Sequence, residues 1–405
     1  MKKINCFFVL LFACAYVNAQ NPDTWTKKAD FMGIPRAGAI AFSINGYGYL
    51  GATGIYDSST IPGYFYPSDM WQYNPQSNVW IQKSPFPGSG RYYTVCFTIN
   101  SKAYVGLGTS DGIADPLNEM WEYDPANDTW TRKADFPGGG RQGIVGFSIG
   151  SKGYVGMGTD TIMEKDFWQY DPVADSWTRK NDFTGGLRTG SFAFSVQDKG
   201  YIGLGIEPYN LTLTRRDLWQ YDTLVDSWTQ KANFPGMATN ALFWFSIGAK
   251  EYIGTGNDSA NNSYTNFWEY NSITDQWLQK DSFGGGKREG AAGFSIGNKG
   301  YAGTGIYQYL DSFINDFWEY TPDSINTGIH VIDANDIIIS PNPASDKLYI
   351  SNFPSNATLT ITDMTGRIIS THSSSEIKVS ELPSGVYILQ IQNTDETITK
   401  KFVKQ

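Results

Sequence analysis

The 405-residue chain holds 43 Gly, 13 Trp, 25 Tyr and 24 Phe, yet only 3 Cys and 2 His, and its formal net charge is −9. Glycine at about a tenth of the chain beside ordinary Pro excludes collagen and disordered polymers, while 40% apolar residues supply cores for two or three domains. The acidic balance excludes nucleic-acid and anionic-membrane partners, which need clustered Lys and Arg.

Residues 1–19 read as an export signal: Lys2 and Lys3, a short apolar core from Cys6 to Ala15, and Val17-Asn18-Ala19 as the cleavage pattern before Gln20. Leu11-Phe12-Ala13-Cys14 offers a lipoprotein signal as the alternative, which the bulky Phe12 fits badly. No later stretch approaches the roughly 18 apolar residues of a transmembrane helix. Cys6 and Cys14 fall in the signal, so Cys96 stands alone in the mature chain and no internal disulfide forms. Its apolar context, Thr94-Val95-Cys96-Phe97, reads as a strand holding a small buried hydrophobe.

A repeat dominates the next 300 or so residues. Trp-[Gln/Glu]-Tyr recurs at Trp71, Trp121, Trp168, Trp219, Trp268 and Trp318, with gaps of 50, 47, 51, 49 and 50 residues. Nine residues after each of the first five comes a second Trp, at 80, 130, 177, 228 and 277. Turns such as Asp124-Pro125-Ala126-Asn127 join the two as hairpins, with Pro where a type I turn favours it. The second Trp opens a phrase shown in full by Trp130, Lys133, Phe136, Arg141, Phe147 and Tyr154, and Tyr154 heads a Tyr-x-Gly-x-Gly run. Each unit reads as four short antiparallel strands, A around Phe147, B around Tyr154, C at Trp168 and D at Trp177. Such a unit buries both faces only against its neighbours in a ring.

These marks resemble the kelch family, with Gly-x-Gly where kelch repeats carry adjacent glycines; the resemblance covers about residues 22–322 and implies a β-propeller. Trp318 has Thr327 nine residues on, while Trp25, Lys28, Phe31, Arg36 and Phe42 match the phrase at the other end. The expectation is an all-β protein: a six-bladed propeller over 20–322, closed by an N-terminal strand that removes the free sheet edge.

After a polar linker, 323–336, residues 337–405 alternate as a small β-sandwich. Pro341-Asn342-Pro343, Asp363 with Gly366 and Arg367, Gly385 with Tyr387, and Lys400-Lys401 near the end resemble the type A C-terminal sorting domain of the Bacteroidetes type IX secretion system. The resemblance implies an outer-membrane translocon and a sortase as partners, and a destination at the cell surface or in the medium. A generic carbohydrate-binding or fibronectin-like sandwich is the alternative.

His330 and His372 both lie beyond the propeller, which excludes a Ser-His-Asp triad, a His-type zinc site and the copper chemistry of galactose oxidase there. No metal or cofactor is expected. The B–C connections are the long and varied ones, so the face bearing B–C and D–A connections is the candidate surface. It offers Tyr56, Tyr64, Phe65, Tyr66, Tyr209, Tyr264, Tyr307 and Tyr309 for stacking on sugars or clasping a peptide, or else for packing on the blades. Arg36, Arg91, Arg141, Arg188 and Arg288 open strand A in five blades, with Thr239 in the fifth. With Tyr93 they are channel-mouth candidates for gripping a carboxylate or acidic glycan, or else blade braces. The repeated Lys28, Lys83, Lys133, Lys180, Lys231 and Lys280 are expected to be solvated. Loops at Asn257–Asn262 and Thr159–Thr161 carry acids without the regular spacing of a calcium loop.

The expected function is a monomeric, exported, non-catalytic binding or adhesion module for glycan or protein. The alternative is a metal-independent carbohydrate isomerase, similar to the kelch propellers that isomerise sialic acids, with Asp111, Glu164 or Glu207 as the acid.

Overall fold

A computed structural model describes residues 23–54, 56–58, 61–110, 116–207, 210–237, 240–258, 260, 262–307, 312–322, 339–350, 357–392 and 397–405. The chain divides into two compact units, Met1–Pro322 and Asp323–Gln405. The export signal at 1–19, Tyr209, Thr239, Tyr309 and the linker at 323–336 lie outside the described residues, as do the side chains of Tyr56 and Tyr64.

Among the described residues the first unit holds six four-stranded antiparallel sheets. The innermost A strands are Ile40–Ile44, Val95–Ile99, Val145–Ile149, Phe192–Val196, Phe243–Ile247 and Ala292–Ile296, numbered here as blades 1 to 6. In blade 6, Thr24–Lys27 pairs antiparallel with Phe317–Thr321, setting Trp25 opposite Tyr320. This is the register by which Trp80 faces Tyr73, and Trp130 faces Tyr123, in blades 1 and 2. The N-terminal strand therefore completes the sixth blade, and the backbone of Gly38 donates to Gly290 across the joint between blades 6 and 1.

Alternation on strand A explains the packing. Phe42, Phe97, Phe147, Phe194, Phe245 and Phe294 are buried, and each stacks beside the Tyr of its own strand B, as Phe194 does on Tyr201 at 4.7 Å and 2°. The same Phe also lies against strand B of the next blade. A Cβ added at Gly153 would stand 2.3 Å from the Phe97 ring, so glycine there lets the blades close on each other. Blades 1, 3, 4 and 6 carry Gly at this place (Gly48, Gly153, Gly200, Gly300), blade 2 has Ala103, and blade 5 has Glu251.

The repeated polar residues also join blades. Tyr123 donates to Asp128 at 2.7 Å, Asp128 accepts the Ser84 amide at 3.0 Å, and the Trp130 indole donates to the Ser84 carbonyl at 3.0 Å. The C–D turns hold Asn78, Asp128, Asp175, Asp226 and Asp275 at positive φ, where Asn and Asp are the best tolerated side chains after glycine. The repeated lysines are not simply solvated: Lys83, Lys133, Lys180, Lys231 and Lys280 pair with Asp128, Asp175, Asp226, Asp275 and Asp23 of the adjoining turn at 2.7–3.8 Å. B–C connections in blades 1, 4 and 6 fold into two-stranded hairpins, such as Ile206–Glu207 with Asn210–Thr214.

The second unit packs a three-stranded sheet (Ile339–Ser340, Lys347–Ile350, Glu376–Lys378) with a four-stranded one (Ile368–His372, Thr358–Asp363, Gly385–Gln392, Thr397–Lys404). Leu348, Leu359, Ile377, Leu389 and Phe402 form its core. The motif turns serve this sandwich directly. Asn342, between Pro341 and Pro343, accepts from the Val403 amide at 2.9 Å. Asp363 receives the amides of Thr365 and Arg367 at 2.9 and 3.1 Å around Gly366, and the Arg367 guanidinium at 3.1 Å. Tyr387 stacks on Phe402 and donates to the Pro383 carbonyl at 2.9 Å, with Gly385 opening its strand, while Lys401 is exposed and Lys400 half-buried.

Candidate functional site at the channel mouth

The residue two after each Arg position adopts a left-handed conformation: Gly38, Tyr93, Gly143, Gly190, Ala241 and Gly290 have φ from 54° to 68°. Backbone hydrogen bonds from Gly143 to Tyr93, from Gly290 to Ala241 and from Gly38 to Gly290 join them into a collar. Four of the six are glycine, which takes this conformation without cost. Tyr93 takes it with a full side chain, at φ 54°, and leaves that side chain 55% exposed. Its ring lies 4.4 Å from Tyr92, which in turn stacks on Tyr66 at 5.4 Å and 1°. Three tyrosines thus form an aromatic ledge running outward from the collar.

The five arginines do not present guanidinium groups to a ligand. Arg36, Arg91, Arg188 and Arg288 are fully buried and Arg141 is 3% exposed. Each pairs with a carboxylate at the start of strand C in its own blade: Arg36 with Asp69, Arg91 with Glu119, Arg141 with Asp166, Arg188 with Asp217, Arg288 with Asp316. The Arg188–Asp217 pair is bidentate, at 2.6 and 2.8 Å, and Arg188 also donates to the Leu204 carbonyl at 3.1 Å. Each guanidinium lies over the Phe five residues earlier, as Arg188 does over Phe183 at 5.1 Å. Burial alone would raise the Asp217 carboxyl, but hydrogen bonds from Arg188 and Trp219 hold it below the ordinary value. The expected ring of anion-gripping groups is, in its geometry, a set of braces between strands.

Other candidates sort by exposure. Tyr307 is 40% exposed on the blade 6 hairpin. Tyr264 donates to Asp258 at 2.6 Å, and this bond with those from Asn262 and Ala260 brings Asp258 down to about 2. Glu207 meets Arg215 at 2.8 Å on the blade 4 hairpin. Glu164 is half-buried with its amide bonded to Gly158, and Asp111 lies outside the described residues. Sequence reasoning did not single out Glu289, which directly follows Arg288. It is 7% exposed, burial raises its carboxyl above the ordinary value, and Asn257 bonds to it from the B–C connection of blade 5. Beside it, Ser263 Oγ and Asn257 Oδ1 are buried without a partner. The signal was the residue after each Arg position, which varies from Ala37 through Tyr92, Gln142, Thr189 and Asn240 to Glu289.

Cys96 sits on an innermost strand with its thiol pushed up to about 12 by desolvation, which leaves it poor as a nucleophile. Among the described residues no group of three or more His, Cys, Asp or Glu gathers as a metal site, and no helix is long and apolar enough to cross a membrane.

Residues 339–405 match the secretion system C-terminal sorting domain family. No curated protein matches the chain. The solved structure of YjhT superimposes with a TM-score of 0.61 at 14% identity, over 74% of this chain and 98% of that one, a likeness that speaks to the fold alone. The chain is a six-bladed β-propeller followed by a secretion system C-terminal sorting domain, and that domain marks it for export to the cell surface or the medium.

Proposed function

We propose that the propeller is a non-catalytic binding module for glycan or protein, displayed after export by its sorting domain. The observation that carries this reading is the Tyr66–Tyr92–Tyr93 ledge, whose collar-end ring, Tyr93, is held open to solvent on a backbone conformation that disfavours it. Exposed aromatics stack on sugar faces and clasp peptides, and strain retained at a surface residue marks function more often than stability. A glycan array probed with the full chain tests it. Binding that falls with Tyr93→Ala supports a glycan ligand, whereas binding that survives the substitution removes the ledge from the account. No binding to any glycan directs the search to protein partners.

A second reading, a metal-independent carbohydrate isomerase resembling sialic acid mutarotases, draws on two acids of the blade connections. Glu207 stands beside Arg215, and Glu289 retains its proton more readily than a solvated acid, as a general acid requires. Mutarotation of sialic acid accelerated by the wild type and slowed by Glu207→Gln or Glu289→Gln would favour this reading. No acceleration would leave binding alone.

A further inference from the structure

We propose that blade 5 carries a subsite for a neutral sugar inside the channel, with the Trp244 indole as stacking platform and the Ser246 hydroxyl and Glu251 carboxyl as its hydrogen-bonding floor. This site is distinct from the tyrosine ledge and needs none of its residues.

The inference starts from symmetry. On strand A the residues facing the preceding blade are small in every other blade: Ala41, Cys96, Gly146, Ala193 and Gly293. Blade 5 has Trp244 there, 38% exposed and in edge contact with Phe192 of blade 4 at 6.4 Å. Two residues on, every blade has a hydroxyl: Ser43, Thr98, Ser148, Ser195, Ser246 and Ser295, all half-buried. An innermost strand is covered on both faces by neighbouring blades, so this exposure opens onto the channel.

Glu251 is the second departure. It lies opposite Ser246 in register, on the same face as Trp244, at the place where the other blades have Gly or Ala. Its side chain is fully buried, one oxygen bonded by Ser246 and the other without a partner. Burial raises this carboxyl well above its ordinary value. A buried acid with an unused oxygen costs stability, and five blades fold without one. The third departure is the brace: Arg gives way to Thr239, and its partner acid to Asn266, whose Oδ1 is buried and unpartnered, as is the Trp268 indole nitrogen.

These departures converge on one blade and set an exposed aromatic face and a buried carboxyl, raised above its ordinary value by desolvation, beside the hydroxyl that every blade has. The A-strand residues named above carry no formal charge. An aromatic face beside a hydroxyl and a carboxyl, with no cation in reach on strand A, fits a polyhydroxylated ring rather than an anion.

Isothermal titration of the full chain with glucose, galactose, mannose and N-acetylglucosamine tests the proposal. The wild type is expected to bind at least one, and Trp244→Ala and Glu251→Gly each to weaken that binding by about tenfold or more. Glu251→Gly restores the residue of four other blades, so it is expected to melt no lower than wild type. Ser246→Ala is the companion variant, expected to weaken the same binding and, by stripping the buried Glu251 of its one hydrogen bond, to melt lower than wild type. A titration lost in Tyr93→Ala and kept in the channel variants would instead assign the sugar to the ledge and overturn the channel subsite. The proposal is overturned if none of the four sugars binds the wild type, or if the three channel variants bind as the wild type does.

Discussion

The Trp25 indole stands 5.0 Å from the Tyr320 ring, in the register by which five other Trp–Tyr pairs are made within continuous hairpins. It also meets Phe283 and Phe267 edge-on at 4.7 and 5.0 Å. Trp25→Ala is expected to cost about 3–5 kcal/mol, the usual penalty for emptying a large aromatic site. Thermal melting reads this directly, and an unchanged midpoint would refute the closure.

Arg188 and Asp217 predict a cost of a different kind. Arg188→Leu leaves a largely buried carboxylate without its bidentate partner, and such losses run to about 3–5 kcal/mol. Replacing both, as Arg188→Leu with Asp217→Leu, is expected to recover much of that loss. Chemical denaturation of the single and double variants measures the difference.

The collar makes a prediction about Tyr93. Tyr93→Gly places the residue of four other blades at φ 54° and is expected to hold or raise the melting temperature while glycan or partner binding falls. A variant that melts lower and still binds would assign Tyr93 a packing role only.

Stability is expected to fall in acid. For Asp128, Asp175 and Asp275, burial alone would raise the carboxyl, but bonds from tyrosine, a backbone amide and lysine outweigh it and hold each below its ordinary 3.8. Because the folded value is the lower one, their contribution is complete above 3.8 and is lost as pH drops through the folded values. Glu251 has the opposite sign: its folded value is raised, so it opposes folding increasingly as pH rises above 4.5. Melting curves from pH 2 to 8, with Glu251→Gln flattening the neutral side, resolve the two contributions.

Blade count, ring closure and the sorting domain were legible because a repeat keeps side-chain chemistry at fixed offsets, and Trp25 or Trp130 announces its unit alone. Relations between units were not. Lys83 meets Asp128 one blade on, and no periodicity within a unit shows that pairing. The arginines were left between two roles for a related reason: position fixes where Arg188 starts, but only the fold turns its guanidinium inward to Asp217 rather than out to the channel. Glu251 was within reach, since Lys-Glu-Tyr stands where other blades read Lys-Gly-Tyr, Lys-Ala-Tyr or Tyr-Gly-Tyr.

The joint at Asp23 and Tyr320 spans 297 residues of chain, whereas every other blade closes locally. Five blades can assemble as their own stretch becomes available, but the last waits for both extremities of the propeller to be present together. The ring is therefore fastened like a clasp. A nick in an outer connection leaves it shut, while clipping a few residues beyond Asp23 unfastens it and bares the edge of Phe317–Thr321.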